Sequence, residues 1–372
     1  MKTHSSLPSG TSTALGRMLF VDMLRGIAMI LVVLMHSEVY FFGSSNGCNE
    51  FLSLYRMPMF FFISGFLLYS PTFTPVLFKK RLSSRIVAQL FPTIVFFTVY
   101  TIVFPYFTFE EAIFSVTKNG YWFPLVSIAL FLLWTPLLLI VSKVSVKRSG
   151  IFVFIILAGI VLYALAKLDV ALYDHNQVFY NRYIYSLLMM QYVVKNSFFF
   201  IFGMVTSAVF RTIDSREVNR NRLGVISALT VAILVAAHQW GVEHTGMELL
   251  LSPLCIAGVL FGVFFMAYSL NDHLSKLRIC RYTAMIGTMT LEIYLLHFFF
   301  LSGFNEAKRG TGLTDGISTL WHIPMAFVII ALCLLTVMVL KRIGVYRFLF
   351  PKYKDFDALV KRRKAERMEF AE

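Results

Sequence analysis

Arg25 and His36 lie in one apolar run, FVDMLRGIAMILVVLMHSEVYFF. An ionisable side chain in such a run is expensive to bury without a partner or a task. Eleven helical steps of about 100° close three turns with about 20° left over, so the two side chains share one face, about 16 Å apart along the axis. A guanidinium suits phosphate oxygens, and imidazole is the usual general base near neutral pH. A long thin substrate with phosphates at one end and a reactive group at the other would span that gap, and acyl-CoA is such a molecule. Asp22, three residues before Arg25, can steady the cation. The competing reading makes Arg25 a flanking charge and His36 an interhelical hydrogen bonder. Arg56 opens the next run, LYRMPMFFFISGFLLYS, from the same side as His36. A cation there can meet His36, stabilise an oxyanion or orient an acceptor hydroxyl. Ser64 and Gly65 in that run form a small pair suited to close helix packing.

Such residues need a membrane-embedded frame, and the composition supplies one. The chain has 372 residues, of which 58% are apolar and 15% charged, with 39 Phe and 17 Tyr. Soluble domains average about 45–50% apolar and about 25% charged. An ordinary cytosolic globule, a disordered chain and a disulfide scaffold are thereby excluded. Ten runs of spanning length recur, at about 19–41, 57–71, 86–105, 121–141, 150–166, 194–210, 223–241, 249–270, 284–303 and 321–340. The fold expected is an all-α membrane protein with about ten transmembrane helices. Residues 1–17 form a polar leading segment, 18–350 the membrane domain and 351–372 a basic tail. The prolines mostly fall near the ends of these runs, where they are tolerated.

The net charge of +14 is carried by alternate loops. Lys79, Lys80, Arg81 and Arg85 lie on one side, as do Lys143, Lys147 and Arg148, then Arg211, Arg216, Arg220 and Arg222, then Lys276, Arg278 and Arg281. The intervening loops hold Glu50, Glu110, Glu111, Glu243 and Glu248. This pattern puts both termini in the cytoplasm and reads the charge as a topology signal rather than a nucleic-acid footprint. Cys48, Cys255, Cys280 and Cys333 form no C-x-x-C pair and are read as small buried residues.

At this level of detail the chain resembles the acyltransferase-3 family of integral membrane O-acyltransferases. The matching pieces are DMLRGIA with ten residues between Arg25 and His36, RMPMFFFISGFLL from Arg56, FKKRLSSR leading to Pro92, YWFPL with Trp122, FFFIFGM with Gly203, and LEIYLLH with Tyr294 and His297. The resemblance implies transfer of an acyl group, commonly acetyl, from cytoplasmic acyl-CoA. The implied acceptor is a hydroxyl of an extracytoplasmic glycan or lipid-linked sugar, and the implied location is the plasma (inner) membrane. It makes His36 the leading catalytic residue, with Arg56 supporting it. Arg25 would handle the donor, as would Arg81 and Arg85, for which a plain positive-inside role is the alternative. Asp22, Trp122, Tyr294 and His297 are the further residues assigned to site support. No metal and no permanently bound cofactor is expected. Acyl-CoA is the co-substrate, and the other partners are the acceptor and membrane lipids, with no nucleic acid.

Several side chains carry two readings. His297 has Tyr294 on its own face and Glu292 about 140° away, and is either a second site residue or an interhelical hydrogen bonder. Trp122 is either part of the site or an interfacial anchor. The connection from Lys167 to Lys195, rich in Tyr, Asn and Gln, suits a polar acceptor or an aromatic belt. His238 and His244 in HQWGVEH match no zinc spacing, and His322 beside Trp321 reads as interfacial. No Walker loop, nucleophile elbow or dinucleotide glycine fingerprint is present. The rival function is a secondary transporter of a glycan precursor or small anion, which paired halves with interrupted helices would signal. No such correspondence links the first five runs to the last five, and Arg25, His36 and Arg56 all fall in the first two.

Overall fold

A computed structural model describes residues 18–352 apart from 43–46, 71, 145–147, 175–179, 217, 246–247 and 312–320. Residues 353–372 of the expected tail 351–372 and the leading segment 1–17 lie outside the described residues, as do the side chains of His244 and His322. Helices α1 (Leu19–Phe42) and α2 (Gly47–Leu68) are followed by α3 (Pro75–Val103), α4 (Trp122–Val144), α5 (Arg148–Asp174), α6 (Met190–Asp214), α7 (Arg220–Thr245) and α8 (Glu248–Ser269). A bent pair, α9 (Arg278–Thr288) and α10 (Thr290–Thr311), leads to α11 (His322–Arg342). Among the described residues there is no strand, and nine helices are continuous, long and apolar enough to cross a membrane. The bent pair makes ten when counted as one span. The chain is a multi-pass all-α membrane protein.

Its surface is apolar where a soluble protein's would be charged. Phe152, Ile156, Ile160 and Tyr163 on α5 and Val225, Ile226, Leu229 and Ile233 on α7 are exposed, which is the face a lipid-bathed helix presents. Inside, rings fill the space between helices: Phe61, Phe62, Phe66, Phe200, Phe264 and Trp134 are fully buried. Two crossings bring backbones together without side chains between them. Gly26 on α1 meets Gly287 on α9, and Gly65 on α2 meets Gly203 on α6. A Cβ at any of these four would run into a carbonyl of the opposing helix.

Several details differ from the sequence reading. Span two begins at Gly47 rather than near 57, because the polar Asn49 and Arg56 of its first turns are buried and hydrogen-bonded instead of ending the helix. Span three starts at Pro75, so Arg81 and Arg85 are helical residues and not loop residues. Within it, Ile86–Leu90 forms one π turn just before Pro92. Such turns absorb an extra residue and re-aim what precedes them. The ninth run is not one straight helix but bends by 81° at Met289. There the Thr288 hydroxyl donates back to the Met285 carbonyl at 2.8 Å, competing with the backbone ladder. Pro58, Pro136 and Pro253 lie inside helices rather than at their ends. Of the four cysteines, all free, Cys333 alone is buried, while Cys48 is exposed.

Candidate functional site

The two ends of α1 open onto two separate cavities. At the Arg25 end a cavity of about 400 Å³ is lined by Arg25, Arg81, Arg85, Gln89, Ser64, Ser127 and Thr290. Arg25 is paired with Asp22 at 3.7 Å, and its Nη2 donates to Thr290 Oγ1 at 2.9 Å. The bend at Met289 is what brings Thr290 there. Arg85 Nη1 donates to Gln89 Oε1 and Ser127 Oγ, both at 3.3 Å, and its guanidinium lies 4.8 Å from the centre of the Phe131 ring. Arg81 donates to the Leu68 carbonyl at the end of α2. Among the described residues no carboxylate lines this cavity. Three cations converge on one space, a pattern suited to phosphate groups.

At the other end a cavity of about 720 Å³ is lined by His36, Arg56, Trp122, Tyr192, Lys195, Asn196, Ser252 and Tyr294, together with apolar side chains of α1, α2, α6 and α8. Again, among the described residues, no carboxylate lines the cavity. Trp122 stacks on Tyr192 with ring centres 4.2 Å apart, so it belongs to the cavity wall. His36 Nδ1 is 3.0 Å from His297 Nε2, and the rings are stacked. His297 is fully buried, and its Nδ1 lies 3.1 Å from the Ile293 carbonyl oxygen. A carbonyl only accepts, so His297 carries its proton on Nδ1 and, when neutral, presents a lone pair at Nε2. His36 must then donate from Nδ1, which leaves its own Nε2 as a basic lone pair.

Aromatic rings lie between the two spaces. Phe60 and Phe123 line the Arg25 cavity, while Trp122 and Tyr294 line the His36 cavity. Phe123 lies 5.1 Å from Phe60 and 5.4 Å from Tyr294, centre to centre. Tyr294 is anchored by its hydroxyl to the Gly120 carbonyl. The turn carrying Gly120 is fastened in turn by Lys118, whose ammonium donates to the Ser186 carbonyl at 3.0 Å and to the Ile113 carbonyl. Burial pushes that amine down to about 8. At neutral pH it is still mostly charged and able to make both bonds.

All nine residues singled out from the sequence fall on or beside these cavities: Asp22, Arg25, Arg81 and Arg85 at one end, His36, Arg56, Trp122, Tyr294 and His297 at the other. Tyr192 and Lys195, in the connection read as suited to a polar acceptor or an aromatic belt, line the His36 cavity. The sequence reading missed Thr290, Gln89, Ser127 and Asn196, which carry no signal until the helices are packed. It also missed Glu38, which did carry one, being a carboxylate inside an apolar run. His238 Nε2 lies 2.9 Å from Ser252 Oγ, and Ser252 lines the His36 cavity. Among the described residues no group of three or more His, Cys, Asp or Glu is placed to hold a metal. A family model described as an acyltransferase domain matches residues 18–342. No curated protein and no solved structure matches the chain.

Proposed function

The chain belongs to the acyltransferase-3 family, and from this premise we propose that it moves an acyl group, acetyl in the first instance, from cytoplasmic acyl-CoA to a hydroxyl of an extracytoplasmic glycan or lipid-linked sugar at the plasma membrane. One observation carries the reading. A single helix joins a cavity with three guanidinium groups to a cavity with an imidazole and a guanidinium. CoA phosphates fit the first, and the reacting carbonyl and acceptor fit the second.

The chemistry assigned to the chain's own groups is short. The acceptor oxygen attacks the thioester carbonyl as its proton passes to His36 Nε2. Arg56 N–H groups stabilise the oxyanion that forms. Collapse breaks the C–S bond, and the proton passes from His36 to the CoA sulfur. A covalent route would transfer the acyl group to the same Nε2 first, with the C–S bond broken and CoA released, and the acceptor hydroxyl would then take the acyl group from the imidazole.

Inverted membrane vesicles loaded with lipid-linked glycan test the reading with labelled acetyl-CoA added outside. Label entering lumenal glycan supports it. Substrate accumulation without CoA would replace it with transport. Two variants probe its ends. Arg81→Ala and Arg85→Ala are each expected to raise KM for acyl-CoA about tenfold, since a hydrogen bond to a charged group contributes about 1.5–3 kcal/mol. Initial rates against acyl-CoA concentration check this, and unchanged KM in both variants would remove the arginines from donor binding. His297→Phe is expected to lower kcat about 10–100-fold, as losing an orienting partner typically does, with KM for acyl-CoA unchanged. A wild-type kcat in that variant would leave the tautomer of His36 without a role.

A further inference from the structure

What holds Arg56 in place reaches back into α1. Arg56 is 7% exposed, and its Nη1 donates to Asn49 Oδ1 at 2.8 Å. Asn49 stands two turns earlier on the same face of α2. Its Nδ2 donates to Glu38 Oε2 on α1 at 2.5 Å. Glu38 and Asn49 are each 1% exposed. A carboxylate and a guanidinium are therefore buried together, with one amide between them that uses its acceptor toward Arg56 and its donor toward Glu38.

That arrangement is exacting. A buried charge without a partner is strongly unfavourable, so neither ion is tolerated there without the other. An amide accepts at its oxygen and donates at its nitrogen, one toward each ion. An aspartate at 49 would set a second carboxylate against Glu38, and an aliphatic residue would strand both ions. A guanidinium has five N–H donors. Asn49 engages Nη1, and Arg56 is at the same time a lining residue of the His36 cavity. The bridge thus decides which edge of the guanidinium is tied down and which is turned to the reacting groups.

We infer that Glu38 and Asn49 are positioning residues for acyl transfer, holding Arg56 so that its remaining N–H groups face the oxyanion beside His36. The inference rests on the acyl-transfer reading and adds two residues to it. Neither touches substrate; both act through Arg56.

The test uses the full-length protein in the vesicle assay, with labelled acetyl-CoA binding as the check on folding. Glu38→Gln keeps the shape and removes the charge. It is expected to lower kcat about 10–100-fold, the usual loss when an outer partner of a working group is removed. KM for acetyl-CoA should change less than about twofold, because the cation cavity is separate. In an Arg56→Lys background the same change should add little, since the guanidinium it positions is already gone. A simple structural defect would instead multiply the two losses. Where Glu38→Gln fails to bind acetyl-CoA, Asn49→Ser carries the same comparison. Multiplying losses, or wild-type kcat in a variant that binds acetyl-CoA, would overturn the inference while leaving the acyl-transfer reading intact. A wild-type protein that transfers nothing from any acyl-CoA would overturn the reading and the inference with it.

Discussion

Replacing His36 with alanine is expected to reduce acyl transfer by about 10²–10⁴-fold, the range that a positioned general base contributes. The helix itself has no reason to fail. Alanine is the best helix former, and α1 is held elsewhere, by its glycine crossing with α9 and by Val32, Val33 and Met29 in the core. What disappears is one ring, together with its bond to His297 and its unshared Nε2. The cation cavity lies at the far end of α1, so KM for acyl-CoA should stay near the wild-type value. The variant also separates the two chemical routes. If the acyl group rests on His36, wild-type protein given acyl-CoA without acceptor will release a burst of free CoA close to the amount of protein, and His36→Ala will release none. If His36 only takes a proton, neither protein releases a burst of CoA until acceptor is added. Protease protection reports insertion in the same preparation. An inserted His36→Ala protein that keeps a tenth or more of wild-type transfer would remove His36 from the reaction.

How much of this was legible beforehand follows from which distances a sequence encodes. Arg25 and His36 share one helix, so their common face comes from 100° steps alone, and the structure puts both on cavities. Spans announce themselves by apolar length, and nine continuous helices plus a bent pair answer the ten runs. The start of α2 did not announce itself. Asn49, Glu50, Ser53 and Arg56 lower its hydropathy, and only the neighbouring helix shows that Asn49 and Arg56 are buried and satisfied. The bend at Met289 was hidden for a related reason. No proline or charge marks it, and two threonines beside a glycine are ordinary in a membrane helix. The pairing of His36 with His297 spans 261 positions of sequence. It exists because α10 leaves the bend at the angle it does, which no local pattern records. His297 and Tyr294 could be singled out by residue type, but their contacts could not.

The same bend depends on a crossing that a single methyl-bearing residue should break. Gly26→Val and Gly65→Val are expected to destabilise the folded protein by about 3 kcal/mol or more, the upper part of the range for overpacking. At most core positions a larger side chain is accommodated by rotating a neighbour. Here the obstacle is backbone: the carbonyl of Thr283 opposite Gly26, and that of Phe200 opposite Gly65. The contacts are reciprocal, since a Cβ on Gly287 would strike the Asp22 carbonyl and one on Gly203 the Phe62 carbonyl. Whole helices must separate, and small residues are what let them approach in a bilayer, where apolar side chains gain little from leaving lipid. The functional consequences differ between the two crossings. Moving α9 off α1 displaces α10, which carries Thr290 to Arg25 and His297 to His36. Moving α6 off α2 parts Asn196 and Tyr192 from Arg56 across the larger cavity. Gly159 on α5 is the control: a Cβ there meets nothing within 4 Å, and Gly159→Ala should be neutral or stabilising by up to about 1 kcal/mol. Thermal unfolding in detergent, followed by loss of monodisperse protein, reads all three. Gly26→Val and Gly65→Val melting with Gly159→Ala would show that the helices are not packed backbone to backbone. Equal melting would also free the site from the crossing on which its His36–His297 contact is argued to depend.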